Sequence, residues 1–177
     1  MLREMSDKKE LLSTIDETVT ELQHLVLAID ENKINTVPYK DSWTAGELLR
    51  HVTKSTDAIA RAMKQSGKQA QRNAGEKIPG LKKAFLDFSH KMNSPEFIVP
   101  EKANYEKETG IKELKQAFKE LSENTIGANL NEIVDGFPLG EVTKPEMLHF
   151  VLYHTQRHLH QMEKITEALN FNDSSNQ

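Results

Sequence analysis

Residues 143–169, TKPEMLHFVLYHTQRHLHQMEKITEAL, decide how this chain is read, because the stretch is strongly helical and carries four of the seven histidines. Thr143-Lys144-Pro145-Glu146 has the T-x-x-E spacing of a capping box, with proline in the first turn, where its missing N–H is not needed. Met147, Val151, Met162, Ile165 and Leu169 then recur at helical spacing as one buried stripe. His154 and His158 fall within or at the edge of that stripe. Positions four apart lie about 40° apart around a helix, so the two imidazoles share a face, one turn apart. His149 and His160, eleven residues apart, share a different face with Tyr153 and Gln156 and read as outward-facing.

Working outward, three more helices follow from the same periodicity. The first runs from about Ser6 to about Asn32 on Leu11, Leu12, Ile15, Val19, Leu22, Val26 and Ile29; His24 lies off that stripe and reads as a surface residue. The second opens on Thr44-Ala45-Gly46-Glu47, a second T-x-x-E box, and buries Leu48, Val52, Ser55, Ile59 and Met63 before Ser66-Gly67. His51 lies beside that inner face. Trp43, just before the cap, reads as a staple packed on the helix end, with ligand lining as the alternative. The third runs from about Asn104 to about Glu123 on Ile111, Leu114, Phe118 and Leu121, despite Gly110, which costs about 1 kcal/mol relative to alanine in a helix.

The expected fold class is therefore all-α, with a long irregular crossover between the second and third helices. Residues 67–100 are rich in turn signals, although LKKAFLDFSHKM offers a short helix; His90 there has no partner at ligand spacing. The link NTIGANLNEIVDGFPLGEV reads as loop, with Ile133-Val134 as a possible brief strand. One domain is expected over residues 1–170, followed by a disordered tail, 171–177, with nothing to bury.

Composition narrows the chemistry. With no cysteine, disulfides, thiolate ligands and a cysteine nucleophile are excluded, so any metal must be held by His, Asp, Glu or water. A net charge of −4 argues against non-specific nucleic-acid binding. The basic run from Arg61 to Lys83 reads as a solvated helix end and loop, since no aromatics interleave it. No apolar run reaches the roughly 20 residues of a membrane span, and charges occupy the place of a signal peptide's apolar core, so the expected address is the cytoplasm.

Burying an imidazole without a partner costs on the order of 1 to 3 kcal/mol, so His154 and His158 are either metal ligands or core histidines bonded to a carbonyl or water. The pair is not the HExxH of a zinc protease, because Thr155 stands where that motif has its glutamate. Tyr153, Gln156, Arg157 and Gln161 flank it and read as ordinary helix-surface polarity.

Trp43 and His51 in W-x7-H, the turn Pro138-Leu139-Gly140, the Thr-capped helix and HTQRHLHQ together resemble the DinB/YfiT-like superfamily of metal-dependent enzymes over nearly the whole chain. The resemblance implies a four-helix bundle whose metal ligands are His51, His154 and His158, with Gln161 matching a glutamine that follows the pair. It implies a divalent transition metal (zinc, nickel or iron) and either hydrolase or thiol-dependent S-transferase chemistry. The expected partner is a small-molecule substrate, with any thiol supplied as a low-molecular-weight co-substrate. Neither nucleic acid nor membrane is implied, and an outer bundle face offers a surface for a homodimer. No catalytic residue is identified: Glu47 is committed to its cap and Asp57 faces elsewhere. The alternative is a non-enzymatic bundle with structural histidines, serving partner binding or self-association.

Overall fold

The computed structural model describes residues 2–174, with side chains described for residues 7–171. Five helices, α1 (Leu2–Leu27), α2 (Ala45–Met63), α3 (Ile78–Leu86), α4 (Lys107–Ile126) and α5 (Lys144–Ser174), are joined by three very short strands, β1 (Lys68–Gln69), β2 (Glu132–Val134) and β3 (Val142–Thr143). The four long helices pack in a ring, α1 on α5, α5 on α2, α2 on α4 and α4 on α1, while α3 lies against α5. This is the expected all-α four-helix bundle. Among the described residues no helix is long and apolar enough to cross a membrane.

Each apolar stripe points where its periodicity predicts. Leu22, Leu48, Leu114, Leu121, Met147, Met162 and Ile165 are at most 1% exposed and meet in one core. Both capping boxes form. The Glu47 amide donates to Thr44 Oγ1 at 3.1 Å and the Thr44 amide to Glu47 Oε2 at 2.9 Å. At α5 the Thr143 amide donates to Glu146 Oε2 at 2.9 Å and the Glu146 amide to Thr143 Oγ1 at 3.4 Å. These local contacts place the starts of the two helices that carry the histidines.

The connections differ from expectation in several places. The crossover is not wholly irregular: α3 forms within it, with Leu81 and Phe85 buried four residues apart against the bundle. It stops at Leu86 because Asp87 folds back, its carboxylate accepting from the Ser89 amide at 3.0 Å. Residues 132–134 are strand rather than loop, since Ile133 pairs with both Lys68 and Thr143 in a small antiparallel sheet. Gly67 serves that sheet: a Cβ there would lie 2.1 Å from the Ile133 carbonyl oxygen. The first helix starts at Leu2 and ends at Leu27, with a single 3-10 turn over Glu31–Lys33 replacing its predicted last turn. The last helix continues to Ser174, so the start of the expected disordered tail is helical. Residues 175–177 lie outside the described residues.

The basic run is only partly solvated. Arg72 reaches Glu146, a fully buried carboxylate, with two hydrogen bonds of 2.5 and 2.7 Å, and the Lys77 amide donates to the same group at 2.8 Å. The crossover is thereby bolted to the first turn of α5. Sequence reading missed this because the partners are 74 residues apart.

Gly110, unfavourable for α4 on propensity alone, has a tertiary reason. A Cβ at this position would lie 2.6 Å from Leu49 Cδ2, inside the close α2–α4 contact. Gly110→Ala should therefore lower the unfolding free energy by about 1 kcal/mol in urea titrations, the overpacking cost exceeding the helix-propensity gain. Equal or greater stability of the variant would show that Leu49 yields freely.

Candidate metal centre

Three buried histidines converge where α2 faces α5. His51 Nε2 lies 3.1 Å from His154 Nε2 and 3.1 Å from His158 Nε2, and the latter two are 3.1 Å apart, an equilateral triangle of ring nitrogens. The structure thus brings together all three residues proposed from the sequence, with the helical step on α5 supplying two and α2 the third.

The hydrogen-bond partners determine where the protons sit. His51 Nδ1 is 2.9 Å from the Ile98 carbonyl oxygen, which can only accept, so this ring carries its proton on Nδ1. His158 Nδ1 faces Gln161 Oε1 at 3.0 Å in the same sense. Their two Nε2 atoms therefore oppose each other at 3.1 Å as bare lone pairs. A proton on His154 Nε2 would satisfy one of its two contacts and leave that opposition unrelieved. A cation relieves all three, and nitrogens about 2.0–2.1 Å from one ion lie roughly 3.0–3.4 Å apart, which the observed edges match. The donor set fits a divalent transition metal held by neutral imidazoles.

Burial keeps those imidazoles neutral. His51 is lowered by burial, opposed by the Ile98 carbonyl and assisted by Lys54. Burial likewise lowers His154 well below the ordinary value, reinforced by the other two rings. His158 is pushed down to about 3, by burial first and then by His51, against the Gln161 hydrogen bond.

Several supporting residues are evident only in the tertiary structure. Lys54 Nζ donates to the Val99 carbonyl at 2.8 Å, pinning the strand of chain that offers Ile98 to His51. Trp43 does not act merely as a staple: its ring lies 4.8 Å from that of His51 and lines the site. Phe150 stacks on His154 at 5.1 Å. Gln161, read as surface polarity, orients His158, and its position three residues on was the available signal. Arg157, read the same way, instead donates to the carbonyls of Phe85, Asp87 and His90, holding the segment after α3 over α5.

The outer histidines divide. His149 is half-buried, bonded through Nδ1 to the Pro145 carbonyl at 2.9 Å, and Tyr153 is buried, although the sequence assigns that face of α5 to solvent. His160 stacks on Phe88 at 4.3 Å and lines the rim of the site. His24 is exposed, as expected, while His90 also lies on the rim. Glu47 serves its cap, and Asp57 lies outside the cleft.

The triad lines a cleft of about 1170 Å³, together with Trp43, Phe85 and Phe150. A core histidine cluster would be sealed; this one borders an open volume large enough for a substrate. Fold and site together define a helical bundle with a histidine centre able to hold a metal, set beneath a cleft. The chain belongs to the DinB superfamily, whose family model matches residues 14–162. Among solved structures it is similar to TT2238, described as a four-helix bundle protein, with a TM-score of 0.57 at 17% identity over 88% of this chain and 98% of that one. That likeness concerns the fold. No curated protein matches the chain.

Proposed function

We propose that this protein is a metal-dependent enzyme of transferase or hydrolase type, in which His51, His154 and His158 hold one divalent transition metal, either zinc, nickel or iron. The observation that carries the reading is the triangle of ring nitrogens 3.1 Å apart bordering an open cleft, two of them opposed as lone pairs. Three protein ligands leave room for water or substrate, the feature that separates catalytic from structural sites. When bound, such an ion supplies Lewis acidity, making a water or a small thiol acidic enough to act as nucleophile near neutral pH.

The chain's own residues have narrower tasks. Ile98 and Gln161 fix the tautomers of His51 and His158, so that both present lone pairs to one point. Trp43, Phe85 and Phe150 exclude water from the side of the triad they cover. With no cysteine in the chain, a thiol nucleophile is a low-molecular-weight co-substrate; such thiols stay reduced in the cytoplasm, the address that this reading favours. The competing reading, a non-enzymatic bundle with structural histidines, calls for sealed and mutually satisfied rings. The cleft and the opposed lone pairs both weigh against it.

The test is turnover by metal-loaded and chelator-treated protein in two assays, ester hydrolysis and transfer of small thiols to an aryl halide. One of them should show metal-dependent turnover, falling at least about 100-fold in the His154→Ala, His158→Ala double variant. Activity indifferent to both chelation and the double variant would refute the reading.

A further inference from the structure

The cleft carries information about its ligand that the triad does not. Ten large hydrophobic residues are exposed among the described residues, and six of them, Tyr39, Phe88, Met92, Phe97, Val99 and Leu139, line this one cleft. Each is at least 40% exposed, against a general tendency of such side chains to be buried. Apolar side chains gathered at one mouth mark a binding surface, whereas scattered ones do not. Behind them the walls are aromatic. A water or a small thiol needs almost none of the 1170 Å³, so the space and its apolar lining belong to a second, larger molecule.

Charge adds the other half. The cationic side chains lining the cleft are Lys40, Lys91, Arg157 and Lys164, and the acidic ones only Asp41 and Asp135. Asp135 is already paired with Lys68 at 3.1 Å. Lys40, Lys91 and Lys164 are exposed and have no ion-pair partner among the described residues. The protein as a whole has a net charge of −4, so the cleft is locally opposite in sign to the molecule that carries it. Such an arrangement raises the local concentration of anions.

We propose that the cleft binds a small amphiphilic molecule, an alkyl or aryl body ending in an anionic group, with the body against the apolar walls and the anion at the lysine rim. Calling this molecule the substrate rests on the metal-enzyme reading above; its binding does not. In this arrangement the end of the body away from the anion lies toward the histidine triad, which lines the same cleft.

The probe is dodecanoate, titrated into the full-length protein while emission from Trp43, the single tryptophan, is followed. Saturable binding at one site per chain is expected. Octanoate, four methylenes shorter, should bind at least about tenfold more weakly. Dodecyltrimethylammonium, with the same tail and the opposite charge, should also lose about tenfold or more. Lys40→Glu with Lys164→Glu, both at exposed positions, should reverse that order of preference without changing the far-UV spectrum.

Equal affinity for the two headgroups would mean unspecific apolar adsorption and overturn the assignment. So would affinity that falls as protein concentration rises, because a second copy would then be covering the mouth. Chelator-treated protein separates this inference from the metal reading. Headgroup selectivity that survives chelation supports the lysine rim whatever the metal content. Selectivity that disappears with the metal overturns it, since the charge preference would then belong to the ion.

Discussion

Protein purified without chelator should contain close to one transition-metal ion per chain by elemental analysis, and the His154→Ala, His158→Ala double variant should contain less than about a tenth of that. The expectation follows from chelation: removing two of three ligands leaves one imidazole, and a single imidazole holds a divalent ion far more weakly than a preformed triad. Three checks accompany the measurement. The double variant must keep its helical circular dichroism, so that metal loss is not unfolding. Titrating metal back into stripped wild type should change Trp43 emission, because the indole ring lies 4.8 Å from that of His51. Gln161→Ala should retain the site but lower its affinity by about 10- to 100-fold, since His158 loses the partner that holds its tautomer. Stripped wild type that folds normally and takes up no zinc, nickel or iron would sink the proposal.

Glu146→Ala should be the most damaging single substitution outside the histidine centre, lowering stability by about 3–5 kcal/mol. Glu146 is fully buried and accepts four hydrogen bonds, two from the Arg72 guanidinium and one each from the Lys77 and Thr143 amides. Truncation leaves both amides without their acceptor and the guanidinium with only the Asn73 and Glu141 carbonyls, a larger loss than that of an exposed ion pair. For a chain of this length about 3 kcal/mol corresponds to a melting temperature lower by roughly 6–12 °C. Replacing Arg72 and Glu146 together by methionine should cost less than the single change, because the half-buried guanidinium is then not left without its carboxylate. A Glu146→Ala loss below about 1 kcal/mol would mean that water replaces the carboxylate and that the bolt is not structural.

The same group sets a pH dependence. Burial alone would raise the Glu146 carboxyl, but the Arg72 hydrogen bonds and the Thr143 and Lys77 amides outweigh it and hold the pKa below the ordinary value of 4.5. A carboxyl lowered on folding contributes stability that is fully present above its unfolded pKa. That contribution is lost as pH falls through the folded one. Acid unfolding of the wild type should therefore set in below about pH 4.5, and Glu146→Ala should remove part of that acid sensitivity.

Most of the helical architecture was legible before any coordinates, and the reason is locality. Apolar recurrence at three and four residues, the Thr44 and Thr143 capping boxes and the glycine and proline breaks act within one or two turns, so neighbouring residues carry the signal. The likeness of His154 and His158 as a pair is of the same kind, since the helical repeat alone puts them on one face. Even the third histidine of the cluster was indicated, because His51 adjoins the inner stripe of α2 and the chain resembles its family in that register.

What neighbouring residues cannot encode is which distant groups meet, and here only the packed bundle decides. His51 reaches His154 across 103 residues and takes its tautomer from a carbonyl 47 residues away. Arg72 finds Glu146 across 74. Backbone carbonyls have no residue type to betray them, which is why Ile98 was invisible as a partner of His51. Tertiary packing changed the meaning of Tyr153, His149 and Arg157, three residues whose own spacing pointed to solvent. The histidine pair is therefore a property of one helix, whereas the triangle, the hydrogen bonds that fix the tautomers of His51 and His158, and the cleft above it arise only when the bundle closes.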